Sequence, residues 1–393
     1  MPGKDSVRIA IVGAGLGGCV AAALLQQAGC KVKVYEQAPQ FSRLGAGIHV
    51  SPNVMRVMRH IGIEDRLRAI ALHPASFMSR DGHSGQISSN FLLADAAEKR
   101  YGAPYLILHR GDFHAEIMRA VHPGTIQFGR RLVGLDQERS PVCMKFADGS
   151  QDEADLVIGA DGVNSMVREI LLGPERPIYT GHIAHRSIFP RSRLPAGLQL
   201  DDCTKWWTDD RHIVVYFLTG RRDEVYFVTG VPCPEWPEDV PNMPGSLDAL
   251  RADFEGFEPR VQAILDACPA VSNWPLLERE PLPLWSRGRV VILGDACHPM
   301  KPHMAQGAGM AIEDAAMLWR CLEEVQVAAG EYGIAFQRYE ASRIERASRV
   351  QKESHDNVWL RYPSDPSWCF GYDVFSEPIR SGKPGTTIKE QAI

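Results

Sequence analysis

The sequence predicts an α/β fold in which a Rossmann-type dinucleotide-binding domain carries an inserted antiparallel β-sheet domain and a C-terminal helical segment. Three observations support this prediction. A glycine-rich turn joins an apolar strand to a helix near the start of the chain, alternating aromatic patterns dominate 178–285, and 331–362 has a charged, helical composition. A chain of 393 residues is longer than a domain with one hydrophobic core usually is, so we expect two lobes.

The N-terminal segment has the order of a βαβ unit. Residues 7–12 form a β-branched run that predicts a buried strand, and an Ala- and Leu-rich helix follows the glycines and ends at Gly29. Residues 31–36 predict a second strand. This unit has the length of ~30 residues that two parallel strands and their connecting helix require.

The glycines between the first strand and the helix predict a dinucleotide site. Gly13 permits the tight turn, Gly15 lets the backbone approach a pyrophosphate, and Gly18 lets the helix pack close to the strand. Glu36, at the end of the second strand, can accept hydrogen bonds from both hydroxyls of an adenosine ribose. The motif alone is compatible with either FAD or NAD.

Changes in composition along the chain set the predicted domain boundaries. The pattern of a buried strand followed by an acid occurs again near residue 290, after the aromatic segment. We therefore expect the chain to return to the first domain there. The predicted parts are 1–177 and 286–330 for the dinucleotide-binding domain, 178–285 for the β-sheet substrate domain, 331–375 for the C-terminal helical segment and 376–393 for a loose tail.

Charge and cysteine usage exclude several classes of protein. A net charge of −5 gives no electrostatic case for nucleic acid or an anionic membrane as a partner. The nine cysteines include no CxxC pair and the thirteen histidines no HExxH motif, so we expect free thiols, a cytoplasmic protein and no metal site. The apolar stretch 9–25 has the order strand, turn and helix, which argues against a signal peptide or membrane span.

Two further stretches resemble a known family. Residues 155–168 and 290–299 each run from a buried strand into an acidic turn, with Asp161-Gly162 in the first and Gly294-Asp295 in the second. Together with the glycine motif, in this order and spacing, they resemble the flavin-dependent aromatic hydroxylases of the para-hydroxybenzoate hydroxylase type. The resemblance covers residues 7 to about 360.

The resemblance implies FAD as the bound cofactor and assigns residues to it. Arg110 would reach the flavin chain, the backbone at Leu132 would face the adenine, and Asp295 would accept from a ribityl hydroxyl. Gly309 departs from the family, because many relatives carry Asn there. The implied cofactor residues are Gly13, Gly15, Gly17, Gly18, Glu36, Gln37, His49, Arg110, Leu132, Asp161, Asp295, Ala308 and Gly309. The chain has no second GxGxxG, in agreement with a family in which the nicotinamide nucleotide binds transiently.

The chemistry of aromatic hydroxylation limits the choice of substrate residues. An electrophilic oxygen donor needs an electron-rich ring, and a base that takes a proton from a ring hydroxyl raises that electron density. Strand alternation puts His212 and Tyr216 on one face, about 13 Å apart at ~3.3 Å per residue. The same pattern also fits a half-buried sheet surface. His49, which follows several small residues, and His303, near the Asp295 motif, are further candidates.

A closer resemblance to one branch of the family sharpens these roles. It rests on 46–49, 205–207, 210–212, 226–230 and 297–307. It implies His49 and Tyr216 as proton acceptors, and it places Cys203, His212 and His303 around the substrate. The implied reaction is a decarboxylative hydroxylation of a hydroxylated pyridine carboxylate with NADH and O2. Two alternatives stay open: an aryl hydroxylase acting on salicylate or a hydroxybenzoate, and an FAD oxidase that inserts no oxygen.

Overall fold

The structure is a computed structural model that describes residues 7–43, 45–325 and 330–382. The predicted loose tail lies outside the described residues from position 383 onward. The helices are α1 (Leu16–Gln27), α2 (Pro52–His60), α3 (Glu64–Ile70), α4 (Ala94–Tyr101), α5 (Arg110–Met118), α6 (Met166–Leu172), α7 (Leu247–Asp253), α8 (Pro259–Ala267), α9 (Gly307–Glu323), α10 (Tyr332–Asp356) and α11 (Ser367–Phe370). Within the described ranges, no helix is both long and apolar enough to cross a membrane.

The strands form two large sheets and two small ones. They are β1 (Arg8–Val12), β2 (Lys31–Tyr35), β3 (Gly47–Val50), β4 (Ser76–Asp81), β5 (Ile87–Leu92), β6 (Leu106–His109), β7 (Ile126–Gln127), β8 (Leu132–Asp136), β9 (Val142–Phe146), β10 (Gln151–Ala154), β11 (Leu156–Gly159), β12 (Ile178–Pro190), β13 (Cys203–Trp207), β14 (His212–Phe217), β15 (Glu224–Pro232), β16 (Met243–Pro244), β17 (Ser272–Glu278), β18 (Ser286–Arg287) and β19 (Val290–Ile292).

The first large sheet is the predicted Rossmann-type sheet. Its strand order is β18-β19-β11-β1-β2-β7, and the contacts of β1 with β2 and β11 and of β11 with β19 are parallel. β1, β11 and β19 are buried almost throughout, as expected for strands covered on both faces. Their carboxyl ends meet at one edge, which is where ligands of open α/β sheets bind.

The second large sheet has the order β16-β17-β12-β15-β14-β13-β4-β5 and supplies the antiparallel lobe. β4 and β5, at residues 76–92, belong to it, whereas the predicted boundaries assigned that segment to the first domain. The reason is the pairing of β13, which is buried along its whole length and has β14 on one edge and β4 in parallel on the other. Residues 76–92 lack the aromatic alternation that marked the rest of the sheet.

A buried charge cluster joins α9 to α10. The Arg343 guanidinium donates to Glu313 and to Asp314, at 2.7 Å in each case, and all three side chains are fully buried. Arg346 adds a second bond to Glu313 at 2.8 Å. On its other side, Asp314 accepts from the backbone N–H of Gly294 at 3.0 Å. The cluster therefore fixes the turn after β19 as well as the two helices.

Replacement of Arg343 by leucine should strongly destabilise the fold. The change removes the guanidinium from buried Asp314 and leaves Glu313 with Arg346 alone. Breaking a buried pair in this way costs roughly 3–5 kcal/mol in the free energy of unfolding. Arg338→Leu is the matched control on the same helix, because Arg338 forms a partly exposed pair with Glu324 at 3.3 Å. That loss should be about 0–1 kcal/mol. Urea unfolding followed by circular dichroism measures both, and equal losses would contradict the assignment.

Candidate active site

A cavity of about 420 Å³ lies where the carboxyl edge of the Rossmann-type sheet meets the face of the second sheet. One part of its wall comes from the turn before α1, the turn after β19 and the start of α9. The other part comes from β14, β15 and the segment 300–303. The residues predicted to bind a dinucleotide and a set of aromatic side chains therefore face one space.

The turn before α1 is shaped for a phosphate group. Gly13 has φ +101°, and a Cβ there would lie 2.3 Å from the carbonyl oxygen of Ala160. A Cβ at Gly15 would meet no atom within 4 Å, and no side chain caps the N-terminus of α1. Gly15, Gly17 and Gly18 line the cavity. Open space in front of uncapped N–H groups fits the pyrophosphate of a dinucleotide.

Glu36 is held rigidly at the end of β2. Its Oε2 accepts from the backbone N–H of Ala14 at 2.9 Å, and its Oε1 accepts from that of Ala38 at 2.8 Å. A carboxylate oxygen has capacity for a further hydrogen bond, so the position still suits a ribose hydroxyl. Gln37 and Leu132 lie outside the wall of the cavity, as Glu36 itself does.

Arg110, Asp295 and Ala308 line the cavity, and the charges of Arg110 and Asp295 interact. Asp295 follows β19 and its side chain is open to the cavity. Desolvation by the surrounding protein raises the pKa of its carboxyl, while His298 and Arg110 oppose that shift. Ala308 lies in the first turn of α9, whose N-terminus carries no side-chain cap. Gly309 instead packs against α2, because a Cβ there would lie 3.0 Å from Val54.

The Asp161 carboxylate is hydrogen-bonded to residues at the start of α6. Oδ1 accepts from the Ser165 hydroxyl at 2.5 Å, and Oδ2 accepts from the Val167 N–H at 3.1 Å, which closes the start of α6. The first backbone N–H groups of a helix have no partner within the helix, and the Asp161 carboxylate accepts from one of them. The neighbouring Ala160 and Gly162 line the cavity, while Asp161 does not. The predicted turn at Asp161-Gly162 therefore faces the cavity through Ala160 and Gly162, while the Asp161 carboxylate bonds the start of α6.

β14 presents the predicted residues to the cavity. His212, Val214 and Tyr216 all line it, as the alternation of the sequence indicated. Two glycines make room for the polar pair: a Cβ at Gly47 would lie 2.3 Å from the Tyr216 ring, and a Cβ at Gly230 would lie 2.3 Å from the His212 ring. Any larger residue at either glycine would displace the side chain beside it.

His49 contacts Tyr216 but is hydrogen-bonded to a residue that sequence reasoning missed. Its ring lies edge-on to the Tyr216 ring at 4.5 Å between centroids, and its Nδ1 lies 2.8 Å from the hydroxyl oxygen of Tyr105. Burial lowers the pKa of His49 to about 3. Burial also raises the pKa of Tyr105 well above its usual range. Near neutral pH, a neutral imidazole therefore meets a protonated phenol.

At the other end of β14, His212 contacts a second histidine, His303. The rings of His212 and His303 meet edge to face at 5.1 Å between centroids. The His303 Nδ1–H donates to the carbonyl oxygen of Ser354 at 2.8 Å. Burial lowers the pKa of both imidazoles well below the usual range. Cys203 is the cross-strand neighbour of Tyr216 and is fully buried, but it does not line the cavity.

Comparison with known proteins agrees with this geometry. A family model described as an FAD binding domain matches residues 6–187 and 264–354. The chain belongs to the family of FAD-dependent aromatic hydroxylases. FAD is therefore the cofactor of this hydroxylase, and O2, an aromatic substrate and a reduced nicotinamide nucleotide are its other reactants.

Individual relatives of the hydroxylase carry a more specific name. The chain is 57% identical to the 6-hydroxynicotinate 3-monooxygenase of Bordetella bronchiseptica over 98% of this chain and 99% of the relative. It is also 57% identical to that of Pseudomonas fluorescens, over 96% and 97%. Among solved structures, the Klebsiella pneumoniae HpxO complexed with FAD and uric acid superposes with a TM-score of 0.78 at 26% identity, covering 92% of this chain and 90% of the other.

Several residues in the hydroxylase's cavity were not anticipated as site residues. Arg186, Lys205 and Tyr226 line it beside the predicted ones. Arg186 carries its guanidinium 4.9 Å from the centroid of the Trp274 ring, and Tyr226 meets the Tyr216 ring at 5.0 Å. The alternation of β15 could have indicated Tyr226, because Tyr226 and Tyr216 are paired across the two strands.

Removal of the Tyr105 hydroxyl should slow the reaction if it holds His49 in place. Tyr105→Phe should lower kcat/KM roughly tenfold, the worth of one hydrogen bond to a buried imidazole. The double variant with His49→Gln should be no slower than His49→Gln alone, because two residues that act as one unit have non-additive effects. Nicotinamide nucleotide oxidation stimulated by the aromatic substrate provides the measurement.

Tyr101→Phe is the matched control for this test. Tyr101 is also buried and also contacts the Phe370 ring, but its hydroxyl faces Ser367 at 3.5 Å, whereas that of Tyr105 faces His49. Its kcat/KM should stay within about threefold of the wild type. An equal loss in the two variants, or losses that add in the double variant, would remove Tyr105 from the site.

Proposed function

We propose that this hydroxylase converts 6-hydroxynicotinate into 2,5-dihydroxypyridine and carbon dioxide, with NADH as reductant and O2 as oxidant. The two relatives at 57% identity support this substrate, because both are named for it and both match along nearly their whole length. The chain carries nine free cysteines, which supports a reducing compartment, and we place the reaction in the cytoplasm.

The observation that carries the proposal is the presence of two polar ends on one face of the cavity. His49 and Tyr216 form one end, and His212 and His303 form the other, with Val214 between them on β14. The hydroxyl and carboxylate of 6-hydroxynicotinate lie para to each other on the ring. A ligand of this shape can use both ends at once, whereas the ortho groups of salicylate would both lie at one end.

The residues that line the first half of the cavity would hold FAD, together with Glu36 outside its wall. The glycine turn suits the pyrophosphate, Glu36 the ribose, and Arg110 and Asp295 the chain that leads to the flavin ring. When bound, FAD accepts two electrons from NADH and delivers one oxygen atom of O2 to the substrate, while the other oxygen atom leaves as water.

The proton of the substrate hydroxyl is removed at the end of the cavity that holds His49. The resemblance implied that Tyr216 accepts a proton, but burial raises the pKa of Tyr216 and keeps its phenol protonated. We therefore propose that Tyr216 hydrogen-bonds the substrate hydroxyl and that His49 accepts the proton. His49 Nε2 accepts that proton while Nδ1–H donates to Tyr105. The positive charge on the imidazole is offset by the negative charge that the substrate ring acquires in the same step.

Loss of that proton drives the chemistry at ring carbon 3, which lies para to the oxygen at carbon 6. The electron pair released there forms the new carbon–oxygen bond at carbon 3. The bond from that carbon to the carboxylate then breaks, its electron pair returns to the ring, and carbon dioxide leaves. Per turnover, 6-hydroxynicotinate, one NADH, one O2 and two protons give NAD⁺, water, carbon dioxide and 2,5-dihydroxypyridine.

Isotope and product analysis of the purified, FAD-loaded enzyme tests the proposal. With 6-hydroxynicotinate, NADH and ¹⁸O2, the dihydroxypyridine should carry one labelled oxygen, and carbon dioxide should form in equal amount to product. Salicylate and 3-hydroxybenzoate serve as competing substrates. A labelled product formed from one of these alone would support the other aryl hydroxylase activity. Hydrogen peroxide with unlabelled organic products would support an oxidase, and either outcome would overturn the proposal.

A further inference from the structure

Lys205 is a buried cation whose side chain reaches the cavity. It lies on β13 with 2% of its surface exposed, and it lines the cavity beside the histidine pair at the end of β14. In the part of the chain that the structure describes, no carboxylate forms an ion pair with it. Its ammonium lies 3.6 Å from the centroid of the Trp207 ring and donates to Asn357 Oδ1 at 3.1 Å.

A buried ammonium without an anion is costly, and the surroundings of Lys205 increase that cost. Burial lowers the pKa of Lys205 well below its usual range, and Arg361 adds to this effect while Cys203 opposes it. The neighbouring His212 and His303 are neutral donors or acceptors and supply no negative charge. An anionic group bound in the cavity would remove the penalty, because it would pair with the ammonium where water is excluded.

Asn357 links Lys205 to His212 in a defined orientation. A lysine ammonium can only donate, so the amide oxygen of Asn357 must face it. The Asn357 Nδ2 then points to His212 Nδ1, 3.4 Å away, and that ring nitrogen accepts. The proton of neutral His212 therefore lies on Nε2, which makes this nitrogen a hydrogen-bond donor.

We infer that Lys205 binds the carboxylate of the substrate and that Asn357 positions His212 to donate to the same group. The inference rests on the proposed function, since it assigns one end of the cavity to the carboxylate of 6-hydroxynicotinate. It also explains why this end carries an ammonium and a fixed donor, while the end with His49 and Tyr216 carries groups suited to a hydroxyl.

Binding of an acid and its amide to the FAD-loaded enzyme tests the inference. 6-Hydroxynicotinamide has the shape of 6-hydroxynicotinate but no charge. Titration of the flavin absorbance should show that the wild type prefers the acid. In Lys205→Met, affinity for the acid should fall roughly ten- to hundredfold, as expected for a charge-assisted bond, while affinity for the amide stays within about threefold. Unchanged preference for the acid in this variant would overturn the inference.

Two further variants make the test specific. Lys33→Met is the control, because the Lys33 ammonium lies on β2 outside the cavity wall and pairs with Asp152 at 2.7 Å, and its preference for the acid should stay within about threefold of the wild type. Asn357→Asp supplies an anion from the protein itself, so it should lose preference for the acid as Lys205→Met does. If Asn357→Asp keeps the full preference, Lys205 does not face the carboxylate.

Failure of the proposed function can be told apart from failure of this inference. If the wild type binds 3-hydroxybenzoate and not 6-hydroxynicotinate, the substrate is wrong, and the comparison is repeated with 3-hydroxybenzoate and its amide. A loss of preference for that acid in Lys205→Met would still support a carboxylate site at Lys205. Should Lys205→Met lose FAD, Lys205→Gln takes its place, since it retains a hydrogen bond to Asn357 without the charge.

Discussion

The buried contact between α9 and α10 is the interaction on which the site depends. Asp314, on α9, accepts from Gly294 N–H and from Arg343, so it fixes the turn that carries Asp295. Arg343 lies on α10, whose last residues reach the opposite side of the cavity. There the carbonyl oxygen of Ser354 accepts from His303. One helix therefore connects the cofactor turn with the substrate end, and a change in its position would disturb both.

The substrate cavity obtains its chemistry from hydrogen bonds that are made outside it. His49 and His212 are buried and His303 is half-buried, and desolvation by the surrounding protein lowers the pKa of each. A neutral imidazole has one donor nitrogen and one acceptor nitrogen. The hydrogen-bond partner of Nδ1 therefore decides whether Nε2 is the donor or the acceptor. Ser354 makes His303 Nε2 an acceptor, while Asn357 makes His212 Nε2 a donor. The two neighbouring rings thus differ in function although their sequence contexts show no such difference.

Local patterns were sufficient to predict part of this arrangement. The βαβ unit, the acids after β11 and β19, and the common face of His212 and Tyr216 all follow from spacing within one element. Tyr105 could not be found in this way. It reaches His49 because β3 and β6 pair antiparallel, with His49 opposite Ile107, and that register depends on the whole fold. Lys205 and Asn357 were likewise missed, since 152 positions separate them in the chain.

The positions of the imidazole protons test the account most directly. Nitrogen NMR of the FAD-loaded enzyme with ¹⁵N-labelled histidine, bound to 6-hydroxynicotinate and assigned by single His→Gln variants, reports which ring nitrogen carries the proton. The account predicts opposite tautomers for the neighbouring pair, with the proton on Nδ1 of His303 and on Nε2 of His212. The same tautomer in both rings, or a proton on Nδ1 of His212, would contradict it.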